Sequence, residues 1–359
     1  MRLLMLTRYG AMGASSRLRS FQYIPWLEAA GWNVLAVPFF SDAQLLVRYQ
    51  NGKYGIKVIL SAYLKRLEVL LRLNQFDLVW IEKESLPWIP SSLERFLLQR
   101  LPYVLDFDDA TFHIYDQHRS ALIRTFLGHR LDHLMASSSL VVAGNEYLAQ
   151  RAITAGAPRV EQIPTVVDLL RYTVRRKNFS SLPRIVWVGS PSTVHYLLKI
   201  SSALISLSRR VPFTLRVIGG GWLSIPGVNL EIVPWRAEIE AQAVGDSDIG
   251  IMPLSDSLWE QGKCAYKLIQ YMACGLPTVA SPVGANLDVV VDNLTGYFAT
   301  TTQEWVDRLE CLLKDKQSRE KMGHRGRERV ESLYCLQQTA PKMVSLLSQT
   351  MNSFSSNKH

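Results

Sequence analysis

The chain has 359 residues, of which 48% are hydrophobic and 20% charged. That composition suits a globular protein and excludes disordered, collagen-like and coiled-coil chains. At ~100–200 residues per domain the length predicts two domains, and no apolar run reaches the ~18 residues expected of a spanning helix, so an integral membrane protein is not expected. The net charge of +9 is uneven: residues 1–182 carry 22 Lys/Arg against 15 Asp/Glu, and residues 183–359 carry 18 against 16. A basic first half points to an anionic partner (nucleic acid, a lipid surface or a phosphorylated substrate) or to a merely solvated surface. Met1–Thr7 holds too few apolar residues for a signal peptide, so a cytoplasmic location is expected. The four cysteines, in no metal-binding spacing, fit reduced thiols.

In chain order, the apolar run Leu3–Leu6 predicts a strand that ends at the turn Gly10–Gly13, and a helical stretch follows from about Ser16 to Ala30. Val34–Val37, Leu78–Ile81, Tyr103–Leu105 and Leu140–Val142 predict further strands. Short apolar runs alternating with helices predict parallel strands covered on both faces, in βαβ units. The second half repeats the pattern at Ile185–Val188, Thr214–Ile218, Ile249–Met252 and Thr278–Ala280. The expected organisation is an α/β chain of two Rossmann-like, doubly wound domains: residues 1–168, a linker at 169–183, residues 184–335, then a C-terminal helix and polar tail at 336–359. Two such domains in tandem predict a cleft between them, with ligands outside the carboxyl ends of the strands.

Three glycine turns follow strands: Gly10–Gly13, Gly189–Thr193 and Gly219–Gly221. Glycine admits a ligand close to the backbone, and a helix start offers free N–H groups to phosphate, although such glycines also simply close tight turns. None forms a full G-x-G-x-x-G, which argues against a dinucleotide. Between Gly262 and Pro277, the residues Lys263, Lys267 and Gln270 are spaced i, i+4, i+7, which predicts one helix face carrying two cations and an amide, suited to a diphosphate and a hydroxyl. Gly275 and Pro277 predict the helix end.

In the first domain, Asp106, Asp108 and Asp109 cluster at a strand's carboxyl end, where they orient a hydroxyl, bind a cation or cap a turn. Glu84 follows another strand. Arg17 and Arg19, past the first glycine turn, meet an acceptor phosphate or lie on an exposed helix side. Asn145 faces the cleft or caps a helix, and Trp235 flanks a base or packs in the core. No recognition-helix, zinc, G-x-S-x-G or His-x-x-Glu-His pattern occurs, which excludes nucleic-acid binding and common hydrolase sites on motif grounds.

The segment Met272–Ser281, with Val283-Gly284 and Thr295-Gly296-Tyr297, resembles the signature of the large retaining nucleotide-sugar glycosyltransferases of the family 4, group 1 type. Gly323, Arg325 and Arg327 suit that family's closing helices. The resemblance implies the GT-B fold, two facing Rossmann-like domains, with a nucleotide-sugar held mainly by the second domain and the sugar transferred with retention, without a catalytic metal. It also marks departures. Gly262 and Gln270 stand where the family usually has two glutamates, and Ser190 and His195 stand where it usually has an Arg and a Lys. Lys263 and Lys267 are therefore expected to replace the missing cations and stabilise the leaving diphosphate.

The resulting expectation is a hexosyltransferase-type enzyme. Asp106, Asp108, Asp109 and Lys267 are its catalytic candidates. Gly189, Ser190, Thr193, Gly220, Trp235, Lys263, Lys267 and Gln270 are on the donor side, and Gly10, Gly13, Arg17, Glu84 and Asn145 on the acceptor side. The nucleotide-sugar is a substrate, and no metal or other cofactor is expected. The acceptor is a sugar or lipid-linked molecule, reached through peripheral contact of the basic first domain with the inner face of a membrane during polysaccharide or glycolipid assembly. The alternatives are a nucleotide-sugar epimerase on the same fold and a non-catalytic partner subunit.

Overall fold

The computed structural model describes residues 1–174 and 182–356. The chain divides into two compact units, Met1–Thr165 with Thr339–His359, and Val166–Gln338. Positions 175–181 of the expected linker lie outside the described residues, whereas Tyr172, also in that span, is buried in the core of the second unit.

Unit 1 is built on six parallel strands: β1 (Arg2–Tyr9), β2 (Asn33–Phe40), β3 (Leu78–Glu82), β4 (Tyr103–Phe107), β5 (Leu140–Ala143) and β6 (Val160–Gln162), in the order β2-β1-β3-β4-β5-β6. The runs Leu3–Leu6, Leu78–Ile81 and Leu140–Ala143 are fully buried, as strands covered on both faces must be. The strand order reverses between β1 and β3, so the ligand crevice predicted by this topology opens beyond the carboxyl ends of those strands. The expected helix from Ser16 to Ala30 is broken into Ala14–Arg19, a 3-10 turn Phe21–Tyr23 and Ile24–Ala29. Pro25 starts the last piece, where its missing N–H is harmless. Residues from Thr339 return to unit 1, where Tyr23 and Thr339 share a buried hydroxyl contact of 3.3 Å.

Unit 2 repeats the layout with β7 (Arg184–Val188), β8 (Thr214–Ile218), β9 (Asn229–Val233), β10 (Ile249–Met252), β11 (Thr278–Ala280) and β12 (Gly296–Phe298), all parallel, in the order β12-β11-β10-β7-β8-β9. Alternate residues of β7 enter different cores. Ile185 and Trp187 pack with Leu204 and Leu309, while Val186 and Val188 pack with Leu268 and Tyr271. The reversal falls between β7 and β10. Gly250 in β10 makes room for the Tyr271 ring, which would lie 2.3 Å from a Cβ there, and the Tyr271 hydroxyl accepts from the Val188 N–H at 2.9 Å. These contacts fix the helix Tyr266–Ala273 against the end of β7. Its carboxyl end carries Gly275 in the left-handed conformation, and Arg327 donates to the Ala273 carbonyl. Gly323 lets the helix Lys316–Leu333 approach so closely that a Cβ would meet the Gly275 carbonyl at 2.0 Å.

Candidate active site

Closely packed glycine turns line the carboxyl edge of the unit 2 sheet. Beyond β7, Gly189 lies against the Trp187 ring, 2.1 Å from where a Cβ would sit. Gly219, at φ +78°, has no room for a side chain either, because a Cβ would come within 2.4 Å of the Gly189 carbonyl. The loops after β7 and β8 therefore touch through main chain. Gly220 is similarly pressed against Val217. The Ser190 N–H donates to the Thr193 hydroxyl at 2.9 Å, which closes a tight turn before the helix Val194–Lys199. His195 is exposed and its Nδ1 lies 2.9 Å from the Ser192 carbonyl.

Beyond β10 the chain forms the short helix Leu258–Gln261, in which Glu260 is buried and accepts from the hydroxyls of Tyr196 and Ser257. Burial alone would raise the Glu260 pKa, but those two hydroxyls, a backbone N–H and the nearby Lys263 hold it below the ordinary glutamate value. Glu260 is thus a fixed carboxylate. Sequence reasoning passed over it, although Ser257-x-x-Glu260 is the spacing of a helix start.

Lys263 is not on the helix with Lys267, contrary to the spacing argument. Ala265 adopts a left-handed conformation at φ 51°, and the helix Tyr266–Ala273 begins only after it. Lys263 lies in the preceding turn, with its ammonium 5.8 Å from the centre of the Trp259 ring, and Lys267 sits in the first turn of the helix. The two cations approach from different backbone segments. A left-handed alanine is strained, and such outliers persist where the surroundings over-determine them.

Gln270 and Trp235, expected at a ribose and a base, instead share one buried chain of hydrogen bonds. Gln270 Nε2 donates to the Tyr172 hydroxyl at 2.7 Å, Tyr172 donates to Glu240 at 3.1 Å, and Trp235 Nε1 donates to the other Glu240 oxygen at 2.7 Å. Gln270 is 1% exposed. The amide is engaged inside unit 2 because its helix turns that position toward the core.

The carboxyl edge of unit 1 is crowded with charge. Asp106, the strand neighbour of Glu82, is buried and held by Arg19 through both oxygens, at 2.8 and 3.2 Å. Burial pushes the Asp106 carboxyl up to about 6 against the pull of Arg19. This corrects two expectations. Asp106 does not open to a ligand, and Arg19 lies inside the protein, where it also donates to the Ile163 carbonyl. Glu84 is likewise inward, accepting from the Tyr115 hydroxyl at 2.8 Å and from Arg130, which also binds Glu94 at 2.9 Å. Asn145 caps the helix Glu146–Thr154, its side chain accepting from the Leu148 N–H at 2.9 Å. Arg17 folds back onto the glycine turn, donating to the Ala11 and Met12 carbonyls at 3.2 and 3.4 Å. Gly10 and Gly13 are tight, since a Cβ at either would meet Asp42 or Tyr9 at 2.4 Å.

Asp108 and Asp109 are brought together around a residue that the sequence analysis did not single out. Lys83, directly after β3 and strained at φ 64°, places its ammonium 2.7 Å from Asp108, 3.0 Å from the Ser15 hydroxyl and 3.9 Å from Asp109. Ser15 donates to Asp108 at 2.5 Å. Burial would lower the Lys83 pKa, but Asp108, Asp109 and Glu82 hold it above the ordinary lysine value. Burial would raise Asp108, yet Lys83 and Ser15 hold it below the ordinary aspartate value. The group sits at the strand-order reversal of unit 1 and stays ionised, with Asp109 a third exposed. Among the described residues no set of three or more His, Cys, Asp or Glu is arranged to hold a metal ion.

Residues 182–315, which include both glycine loops and the approach to the helix Tyr266–Ala273, match the family described as Glycosyl transferases group 1. That stretch lies wholly within the second unit. Similar solved structures include HepE (Alr3699) from Anabaena, in complex with UDP and glucose. Its TM-score is 0.70 at 16% identity, covering 97% of this chain and 100% of that one. Sucrose-phosphate synthase from Thermosynechococcus elongatus matches with a TM-score of 0.69 at 14% identity, covering 98% and 100%. WaaG, a glycosyltransferase involved in lipopolysaccharide biosynthesis, matches at 0.67 and 12% identity, covering 97% and 99%. At these identities the likeness shows the GT-B fold. No curated protein matches this chain in sequence. Among its described residues, no helix is long and apolar enough to cross a membrane.

Proposed function

We propose that this chain is a retaining, hexosyltransferase-type enzyme that moves a sugar from a nucleotide-sugar to an acceptor hydroxyl. The observation that carries the reading is that the group 1 match covers the segment whose closely packed glycine loops and Ser190–Thr193 turn form the carboxyl edge of the unit 2 sheet. The Ser190–Thr193 hydroxyls, Lys263 and Lys267 suit a diphosphate. In the transfer, the bond between the anomeric carbon and the diphosphate oxygen breaks. The acceptor oxygen bonds to that carbon on the same face, and the acceptor proton passes to the departing phosphate. The two lysines stabilise the charge developing on that leaving group. The reading uses no metal or other cofactor. Asp108, Asp109 and Ser15 are assigned to acceptor hydroxyls in unit 1.

A membrane-side acceptor, at the inner face of a membrane and in polysaccharide or glycolipid assembly, fits one further feature. The helix Ile56–Leu71 exposes Ile56, Leu60, Leu64 and Leu71, flanked by Lys57, Lys65 and Arg72. The buried Gln270 favours a second reading, a subunit that has lost turnover. Calorimetric titration with UDP, GDP and ADP, followed by turnover assays with the matching sugar nucleotides, separates them. HepE has been solved with UDP-glucose, which sets UDP first. Binding with turnover supports the enzyme, binding without turnover supports the subunit, and no nucleotide binding overturns both.

A further inference from the structure

We infer that unit 1 binds an oxyanion carried by the acceptor, in a cluster of Arg8, Arg48 and Arg66 around the aromatic carboxyl ends of β1 and β2. This rests on the reading of unit 1 as the acceptor side. Tyr9 closes β1 beside Phe40 of β2, and Phe40 stacks on Tyr54 with ring centres 3.8 Å apart. Three guanidiniums gather on this patch. Arg8 and Arg66 lie 6.0 and 5.7 Å from the Phe39 ring, and Arg48 lies 5.4 Å from the Tyr54 ring while donating to the Tyr9 hydroxyl at 2.8 Å.

The cluster is short of acceptors. Arg66 is fully buried and donates through Nη2 to the Thr7 carbonyl, but its Nε and Nη1 have no partner. A buried cationic donor without an acceptor is costly, so its retention needs a reason. The carboxylates nearby are mostly engaged elsewhere, although one Glu82 oxygen, Oε1, is buried without a hydrogen-bond partner. Glu84 and Glu94 hold Arg130, leaving Arg8 a long 3.4 Å contact to Glu84, and Glu82 accepts from the Arg8 N–H and the Ser16 hydroxyl. Four arginines, Arg8, Arg48, Arg66 and Arg130, thus meet three glutamates, and Arg48 donates to a phenol. Burial brings Arg66 down to about 9, with Glu94 and Glu82 opposing the fall and Arg8 adding to it.

An oxyanion places negative charge beside these guanidiniums. Guanidinium forks match phosphate or carboxylate oxygens, and the half-exposed Arg8 and Arg48 are the groups that would touch it, with Arg66 as the charge behind them. The structure moves anion recognition from Arg17 and Arg19, which are engaged with the protein, to this neighbouring cluster.

The test is calorimetric titration of the full chain with inorganic phosphate, with farnesyl phosphate in detergent and with glucuronate, each alone and with UDP present. The expected result is that at least one probe binds and that Arg8→Gln and Arg48→Gln each weaken it about tenfold or more, with Arg48→Lys between. The probe that binds identifies the source as free phosphate, lipid phosphate or sugar acid. An unchanged thermal midpoint and circular dichroism spectrum in the variants separate lost binding from lost fold. The inference is overturned if no probe binds, or if binding survives in the Arg8→Gln/Arg48→Gln double variant. Arginine-dependent anion binding without any nucleotide binding would instead leave this site standing and remove the glycosyltransferase reading.

Discussion

The two sheets share a parallel design with a strand-order reversal, yet their carboxyl edges are built from opposite materials. The unit 1 edge is a lattice of buried ions: Arg19 with Asp106, Arg130 with Glu84 and Glu94, Lys83 with Asp108. The unit 2 edge is glycine backbone and hydroxyls, and its buried carboxylate Glu260 is held by Tyr196 and Ser257. The contrast teaches that charge at a strand end is not by itself catalytic. Where carboxylates and cations are neutralised internally they fix the platform. Where glycine turns line the edge, the protein's own charges stand apart from one another, as Lys263 and Lys267 do on separate backbone segments.

The contrast breaks most visibly at Arg19. Replacing it with Met leaves Asp106 buried without its counter-ion, which is expected to destabilise the protein by about 3–5 kcal/mol. The Arg19→Met/Asp106→Leu double variant should regain much of that loss in urea denaturation. A stable Arg19→Met protein with lost turnover would instead return Asp106 to catalysis. The pH dependence has a definite sign. Asp106 at about 6 is raised above its ordinary value of 3.8. Between these values the folded protein keeps a proton that the unfolded chain has released, so this group's contribution to stability falls as pH rises through that window. Asp106→Asn should flatten that decline. Asp108, held below 3.8, acts oppositely, and its stabilisation is lost as pH falls through its depressed value.

The second expected effect lies at the other edge. Lys267→Ala should lower turnover by about 10²-fold with the thermal midpoint unchanged, because a cation that meets developing charge stabilises the transition state and not the fold. Lys263→Ala should do the same from its separate turn. If neither substitution moves turnover, the leaving diphosphate is stabilised by backbone alone.

How much of this was legible in the sequence follows the same division. The long buried strands announced themselves because Leu3–Leu6, Leu78–Ile81 and Ile185–Val188 are continuous apolar runs. The edge strands Val160–Gln162 and Gly296–Phe298 did not, since three residues carry no period. The helix end at Gly275 was readable, but its start was not. The i, i+4, i+7 spacing of Lys263, Lys267 and Gln270 assumes an unbroken helix, and the left-handed Ala265 that breaks it has no composition signal. Asp106 looked like a ligand because its partner Arg19 is 87 positions away. Lys83 was overshadowed by the glutamates on either side of it, and only the fold gathers Ser15, Asp108 and Asp109 around its ammonium.

The smallest expected effect sharpens the comparison at a residue that stands on the crowded edge without carrying charge. Asn145 follows β5, as the catalytic candidates follow their strands, yet its side chain accepts from Leu148 N–H and it is 2% exposed. Asn145→Ala should therefore cost about 1 kcal/mol of stability, the ordinary loss for an N-cap, and leave KM for the acceptor unchanged. Asn145→Asp should restore the cap, because a carboxylate accepts the same N–H and suits the positive end of the helix. A rise in KM with stability intact would mean that position 145 reads the acceptor. The unit 1 edge would then bind through uncharged groups as well as through the ions that hold it together.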